Sequence, residues 1–222
     1  MKELTEILDP GKLLENTAKT ALGFIEKMIG PACEEFGLAI SDNVKYWRFK
    51  NKIDITLKAK KFLESKGIEP KQVEPKIVIP LLESGSMENN DDLQTMWAAL
   101  LANAADPTSA KKITPSFIEI LKQLSSAEVK LLNQMHVLVS KKSNVEKLKM
   151  TFDKKKIMQF LSATSEQFDF MTSNLYRLGI CQPPSSGGAK IGPFPIAVMT
   201  YELFSFTPFG YDFINACKFD TN

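Results

Sequence analysis

The chain has few of the residues from which catalytic and metal centres are usually built. It holds one histidine, His136, and three cysteines, Cys33, Cys181 and Cys217, set far apart. A single imidazole excludes every two-histidine metal motif. Without a C-x-x-C pair there is neither zinc-finger spacing nor a disulfide framework. The odd cysteine count fits a reducing cytoplasm. Charge of one sign is missing too: 28 basic against 26 acidic side chains leave +2, too little by itself to mark a nucleic-acid binder. No uncharged run approaches the ~20 residues that a membrane-spanning helix needs. The opening MKELTEILDPGK, with its acids and its Pro-Gly break, is unlike a secretion signal. SSGGAKIG, around Lys190, has glycines and a lysine but not the G-x-x-x-x-G-K-[ST] spacing that cradles phosphates, and no nucleophile elbow occurs. His136, between Met135 and Val137, is expected to pack rather than to react. No catalytic residue, cofactor or metal ligand is predicted.

Apolar material is plentiful. It makes up 44% of the chain, with 15 Phe and 9 Met in 222 residues, enough for one large domain or two small ones. The best-patterned stretch runs from Tyr46 to Pro107 and carries both tryptophans, Trp47 and Trp97, which are expected to anchor the core. After Asn90 as N-cap, Leu93, Met96, Trp97, Leu100, Leu101 and Ala104 fall on one helical face. Asp91 and Asp92 suit the positive end of that helix, and Asp106-Pro107 stops it. An earlier helix, from about Asp42 to Lys66, has two apolar sides: Tyr46, Phe49, Ile53 and Leu57 on one, and Val44, Ile55, Ala59 and Phe62 on the other. Asp54 is placed to pair with Lys50 and Lys58, and Gly67 to close the helix. Between the two, a short helix begins near Pro75 and carries Pro80 inside it.

Residues 12–41 read as a helix with a 4-3 apolar seam: Leu14, Ala18, Ala21, Ile25, Met28 and Ala32. Gly23, Gly30 and Gly37 recur every seven residues. Glycine costs up to ~1 kcal/mol inside a helix, so the series predicts close backbone approach, with Gly23, Gly30, Gly37, Ala18 and Ile25 as a packing or oligomer face. Pro31 is expected to kink or split the segment. A helix meeting a membrane through residues 12–41 is the competing reading. Its charges at Glu26, Lys27, Glu34 and Glu35 weigh against insertion.

Residues 113–222 have another rhythm. Thr114-Pro115 opens a helix, and Ser125 with Glu128 forms a capping box for the next, with Leu131, Leu132, Met135 and Leu138 inward. A short helix holds Ile157, Met158, Phe160 and Leu161. Thr164 and Gln167 cap a third, with Phe168, Met171, Leu175 and Leu178 inward. A Gly/Pro/Ser-rich loop then leads to the alternating AVMTYELFSF and a last helix after Thr207-Pro208. The pattern resembles a winged-helix domain with a small β-hairpin. Lys141, Lys142, Lys147, Lys149, Lys154, Lys155 and Lys156 cluster in residues 141–156. Of these, Lys141, Lys142, Lys154, Lys155 and Lys156 offer themselves as phosphate contacts. The third helix, where sequence readout would need basic or amide groups, carries Glu166 and Asp169 against Arg177, so DNA binding is disfavoured.

The stretches KYWRFKNKIDITLKAKKFLESKGIEP and VIPLLESGSMENNDDLQTMWAALLANAADP resemble the core of the abortive infection alpha (Abi-alpha) family. The likeness reaches back through the glycine-dotted N-terminus and forward to FIEILKQLSSAEVKLL. It implies a bacterial phage-defence setting and no catalytic residue. The combined expectation is a mostly α protein: a helical region over residues 1–112 (residues 12–41 and the core helices of 42–107) followed by a winged-helix-like module over 113–222. It is expected to be cytoplasmic and to act without enzymatic chemistry, through a protein partner or its own copies. A nucleic-acid-binding regulator is the alternative and a membrane-active toxin the third.

Overall fold

A computed structural model of the chain describes residues 10–29, 43–140, 150–183 and 203–219. The protein is mostly α, with one small three-stranded antiparallel sheet. It divides into two compact units: Met1–Gln123 with Asn215–Asn222, and Leu124–Ile214. The break therefore falls after Gln123, not after residue 112. The cause is the helix opened by Pro115, whose Phe117, Ile118, Ile120 and Leu121 are buried in the first unit.

The first unit is built from α1 (Pro10–Ile29), α2 (Asn43–Glu64), α3 (Pro75–Gly85), α4 (Asp91–Ala105) and α5 (Pro115–Leu121). In α1 the seam residues Ala21, Ile25 and Met28, joined by Phe24, are buried. The helix packs on α2, and the Val73 N–H donates to the Met28 carbonyl at 2.9 Å. Helix α2 is central, meeting α1, α3 and α4. Two buried sides are what its two apolar faces require: Ile53, Ile55, Ala59 and Leu63 are all covered. It ends where Gly67 takes φ +63°. There the Ile68 N–H reaches the Leu63 carbonyl and the Gly67 N–H the Glu64 carbonyl, each at 3.0 Å, which satisfies two carbonyls the helix would leave bare. Lys58 does not stay on its own helix with Asp54; it reaches Asp91 at 2.6 Å.

Helix α4 departs from the one-sided pattern the sequence predicts. Its large residues Leu93, Met96, Trp97, Leu100 and Leu101 are buried, but so are Ala98, Ala99, Ala102 and Ala105 on the other sides. From Met96 on the helix is apolar on most sides, and such a helix belongs in a core; its alanines let neighbouring backbones close in. The Asn90 side chain caps it, accepting from the Leu93 N–H at 3.1 Å.

The second unit contains α6 (Ser126–Ser140), β1 (Phe152–Asp153), α7 (Lys154–Leu161), α8 (Ser165–Arg177), β2 (Cys181–Gln182), β3 (Leu203–Phe206) and the start of α9 (Pro208–Ala216). The expected hairpin gains a third strand. The order is β1-β3-β2, with Phe152 opposite Phe204 and Cys181 opposite Phe206. Two residues are too few for β1 to show an alternation. Its aromatic ring explains its position: Phe152 lies 5.6 Å from Phe204 and 5.8 Å from Phe206, while Phe168 of α8 sits edge-on to Phe204 at 5.5 Å. Both capping boxes form, Ser125 with Glu128 and Thr164 with Gln167. Leu138 is exposed, and Val139 takes the inward place beside Met135.

Gly179 and Gly210 fasten the end of this unit. Gly179 turns the chain at φ +69°. The Thr207 N–H then donates to the Ile180 carbonyl at 2.9 Å, and the Thr207 hydroxyl donates to the Gly179 carbonyl at 2.6 Å. A Cβ on Gly210 would stand 1.9 Å from the Ile180 carbonyl oxygen, so only glycine fits there.

Candidate functional site

The residues singled out from the sequence do not gather in one place. Trp97 is 2% exposed, at the heart of the first unit. Trp47 is only half-buried, because its indole N–H reaches outward to Asn89 Oδ1 at 2.6 Å. It is a hinge between core and surface rather than a second core anchor. Of the proposed packing face, Ile25 is buried and Ala18 half-buried, but Gly23 is exposed. A methyl group there would meet nothing within 4 Å, so close approach does not explain this glycine. Gly30 and Gly37 lie outside the described residues, as do Lys141 and Lys142.

Lys154 is withdrawn from any role with phosphates. Its ammonium pairs with Asp169 at 2.5 Å, 5.8 Å from the Phe168 ring, and the side chain is buried. Lys155 and Lys156 are exposed in the first turn of α7. His136 is half-buried on α6. Cys181 and Cys217 are buried, and burial pushes both thiols far above their ordinary range, which keeps them protonated and poor nucleophiles. Among the described residues no group of three His, Cys, Asp or Glu could hold a metal ion. No helix among them is long and apolar enough to cross a membrane.

Concave places among the described residues occur in each unit. In the first unit a cleft of about 340 Å³ opens beside Arg48, Glu83, Met87 and Trp97. Its charges already satisfy one another. Glu83 binds Arg48 at 2.6 Å and also Lys52, and the Arg48 Nε–H donates to Ser86 Oγ at 3.1 Å. Asn51 donates to the Ser86 carbonyl at 3.0 Å, and Gln94 to the Glu88 carbonyl at 2.8 Å. Burial works to raise the Glu83 carboxyl, but the hydrogen bonds and charges of Lys52 and Arg48 outweigh it and hold the group below its ordinary value. This network clasps α2 to α3 and α4.

In the second unit a cleft of about 630 Å³ lies between the start of α6, the turn at Ser162 and the face of α8 bearing Phe170. A second, of about 430 Å³, runs on between α6 and Phe160; Lys130 and Leu161 line both. Apolar side chains stand open around them: Phe170 is 78% exposed, Phe160 60% and Val137 50%. Carboxylates of this region are largely engaged. Glu128, 3% exposed, accepts from the Ser125 N–H and hydroxyl at 2.6 and 2.7 Å and from Asn174 at 2.6 Å. Sequence reasoning named Phe160 as part of a short helix without a direction and passed over Phe170. A signal existed: Phe168 and Phe170 are two apart, so on a helix they point to nearly opposite sides. With Phe168, Met171 and Leu175 inward, Phe170 must face out.

Fold and clefts together define a mostly α protein of two units, the second organised round a small sheet. The family model described as abortive infection alpha matches residues 48–217, and the chain belongs to that family. The match starts later than Gly23 and Gly30 of the glycine series and runs through the second unit, which lies inside the family's extent. Membership sets the chain in abortive infection, a defence against phage. No curated protein and no solved structure matches it.

Proposed function

We propose that the chain serves abortive infection from the cytoplasm by holding a protein partner on its second unit, without catalysing a reaction itself. The observation that carries this reading is the outward face of α8. The element order α6-β1-α7-α8-β2-β3 and the sheet order β1-β3-β2 support a winged-helix reading, in which α8 holds the position of a recognition helix. A helix that reads bases needs basic or amide side chains there. This one presents Phe170 and Glu166, and its Arg177 is turned to Asn174 Oδ1 at 2.6 Å. Open aromatic rings beside a cleft mark a protein-docking surface. Burial of Ala21, Phe24, Ile25 and Met28 supports packing, not lipid, as the role of α1.

The test is a phage challenge of cells carrying wild type or Phe160→Ser/Phe170→Ser. Protection is expected to vanish in the variant while its thermal unfolding stays as in wild type; full protection would overturn the reading. Exposed Lys155 and Lys156 favour nucleic acid as the second reading. Under it, the full chain would bind duplex DNA and lose affinity by orders of magnitude between about 50 and 200 mM salt.

A further inference from the structure

We propose that Ala216–Phe219, which belongs to the first unit, is a latch that opens by itself while the core round α4 stays folded. Asn103 is its catch. This residue is 4% exposed, and its amide donates to the Ala216 carbonyl at 2.9 Å and to the Lys218 carbonyl at 2.8 Å. An amide has two such hydrogens, so both are committed to the latch. The Lys111 ammonium donates to the same Lys218 carbonyl at 2.7 Å. Beyond it the Phe219 ring lies on Phe62 of α2, with centroids 5.4 Å apart and planes 11° from parallel. The Lys66 ammonium stands 5.3 Å from the Phe219 ring centre. The two carbonyls are thus gripped by side chains 113, 115 and 107 residues away in sequence, as those of a bound peptide are.

What the latch withdraws on opening is small or only half covered. Ala216 and Cys217 are each 1% exposed but have short side chains, while Phe62, Lys218 and Phe219 are half-buried. Buried apolar area is what stabilises a core, and on α4 it is supplied by Met96, Trp97, Leu100 and Leu101, none of which belongs to the latch. Lys218 adds to the tendency to open: burial disfavours its ammonium and holds it below its ordinary value. Segments that bury little apolar surface open locally at a lower free energy than the domain as a whole. Opening bares two amide N–H donors, an ammonium and a ring face on the first unit, and it brings the Cys217 thiol to water.

Cys217 reports the event. While it is buried its thiol stays protonated, so alkylation requires opening. The experiment treats the full chain with iodoacetamide and follows Cys217 and Cys181 separately by mass spectrometry. In wild type, Cys217 labelling is expected to stay nearly flat as urea rises towards the unfolding transition, because a local opening exposes little surface and so depends weakly on urea. Phe219→Ala and Asn103→Ala should each speed that labelling about tenfold, the scale of a lost ring contact or hydrogen bond. Cys181 labelling and the helical circular dichroism should stay as in wild type. A Cys217 rate that climbs with urea as steeply as global unfolding does would overturn the inference, since the latch would then open only with the core. So would a rate that neither substitution changes. Should Asn103→Ala fail to fold, Phe219→Ala decides alone, because it alters only the half-buried tip of the latch.

Discussion

Helices α4 and α8 are of similar length, 15 and 13 residues, yet they serve opposite ends. Past its exposed Asp91 and Asp92, helix α4 is buried from Met96 to Ala105 except for the half-buried Ala104, and its Asn103 faces inward, donating to the carbonyls of Ala216 and Lys218 at 2.9 and 2.8 Å. Helix α8 buries Phe168, Met171 and Leu175 and turns Phe170 outward. The first unit thus gathers its aromatic and polar groups into a closed core. The second closes a small aromatic core round its sheet and leaves rings standing on the surface. On the proposed reading, recognition falls to the second unit.

The contrast is broken most severely by emptying the first core. Trp97→Ala removes a side chain that is 2% exposed, and about 3–5 kcal/mol of stability should go with it. Chemical denaturation followed by circular dichroism measures the loss; a change under 1 kcal/mol, far below that ~3–5 kcal/mol range, would mean the tryptophan is not enclosed. Filling the same place is expected to cost less. A Cβ on Gly85 would stand 2.8 Å from Ile55 Cδ1 and 3.2 Å from Trp97 Cγ. Gly85→Val should therefore cost about 1–3 kcal/mol, the usual penalty of overpacking, again read from the unfolding midpoint.

These two residues show what a sequence can and cannot disclose. Trp97 was legible because its neighbours repeat at helical spacing. Gly85 was not, since its constraint comes from Ile55 and Trp97, distant in the chain. Caps were legible for the same local reason: Asn90, Gly67, Ser125 with Glu128, and Thr164 with Gln167 act within a few residues. The alanines of α4 carry no periodic signal, so the burial of Ala98, Ala99, Ala102 and Ala105 was hidden. Lys58 chose Asp91 over its own helix's Asp54 because tertiary packing set the nearer partner. At the clefts, Lys130 and Phe170 come from different helices, and only the fold brings them to one groove.

A smaller effect comes from the clasp at Glu83. Its folded carboxyl titrates below the ordinary value of 4.5, so folding favours the ionised form. The resulting stabilisation is complete above that value and is lost as pH falls through the lowered folded value. The ion pairs with Arg48 and Lys52 are partly exposed, which limits them to about 0.2–1 kcal/mol. Thermal melts should show Glu83→Gln converging on wild type below pH 4.5 and lagging above it. A gap that widens in acid would reverse the assignment.

The smallest expected change sharpens the comparison most. Phe170 is 78% exposed, so most of its ring is already in water and little burial is lost on truncation. Serine and phenylalanine have similar helix propensities, and the site lies in the middle of α8, away from its Thr164 cap. Phe170→Ser should therefore alter stability by no more than about 0.5 kcal/mol, the ordinary range for surface positions. A fall of several kcal/mol in a urea titration would show that Phe170 belongs to the core of the second unit. The contrast between α4 and α8 would then collapse. An unchanged midpoint, alongside loss of protection when Phe170→Ser alone is put to the phage challenge, would separate recognition from folding at a single side chain.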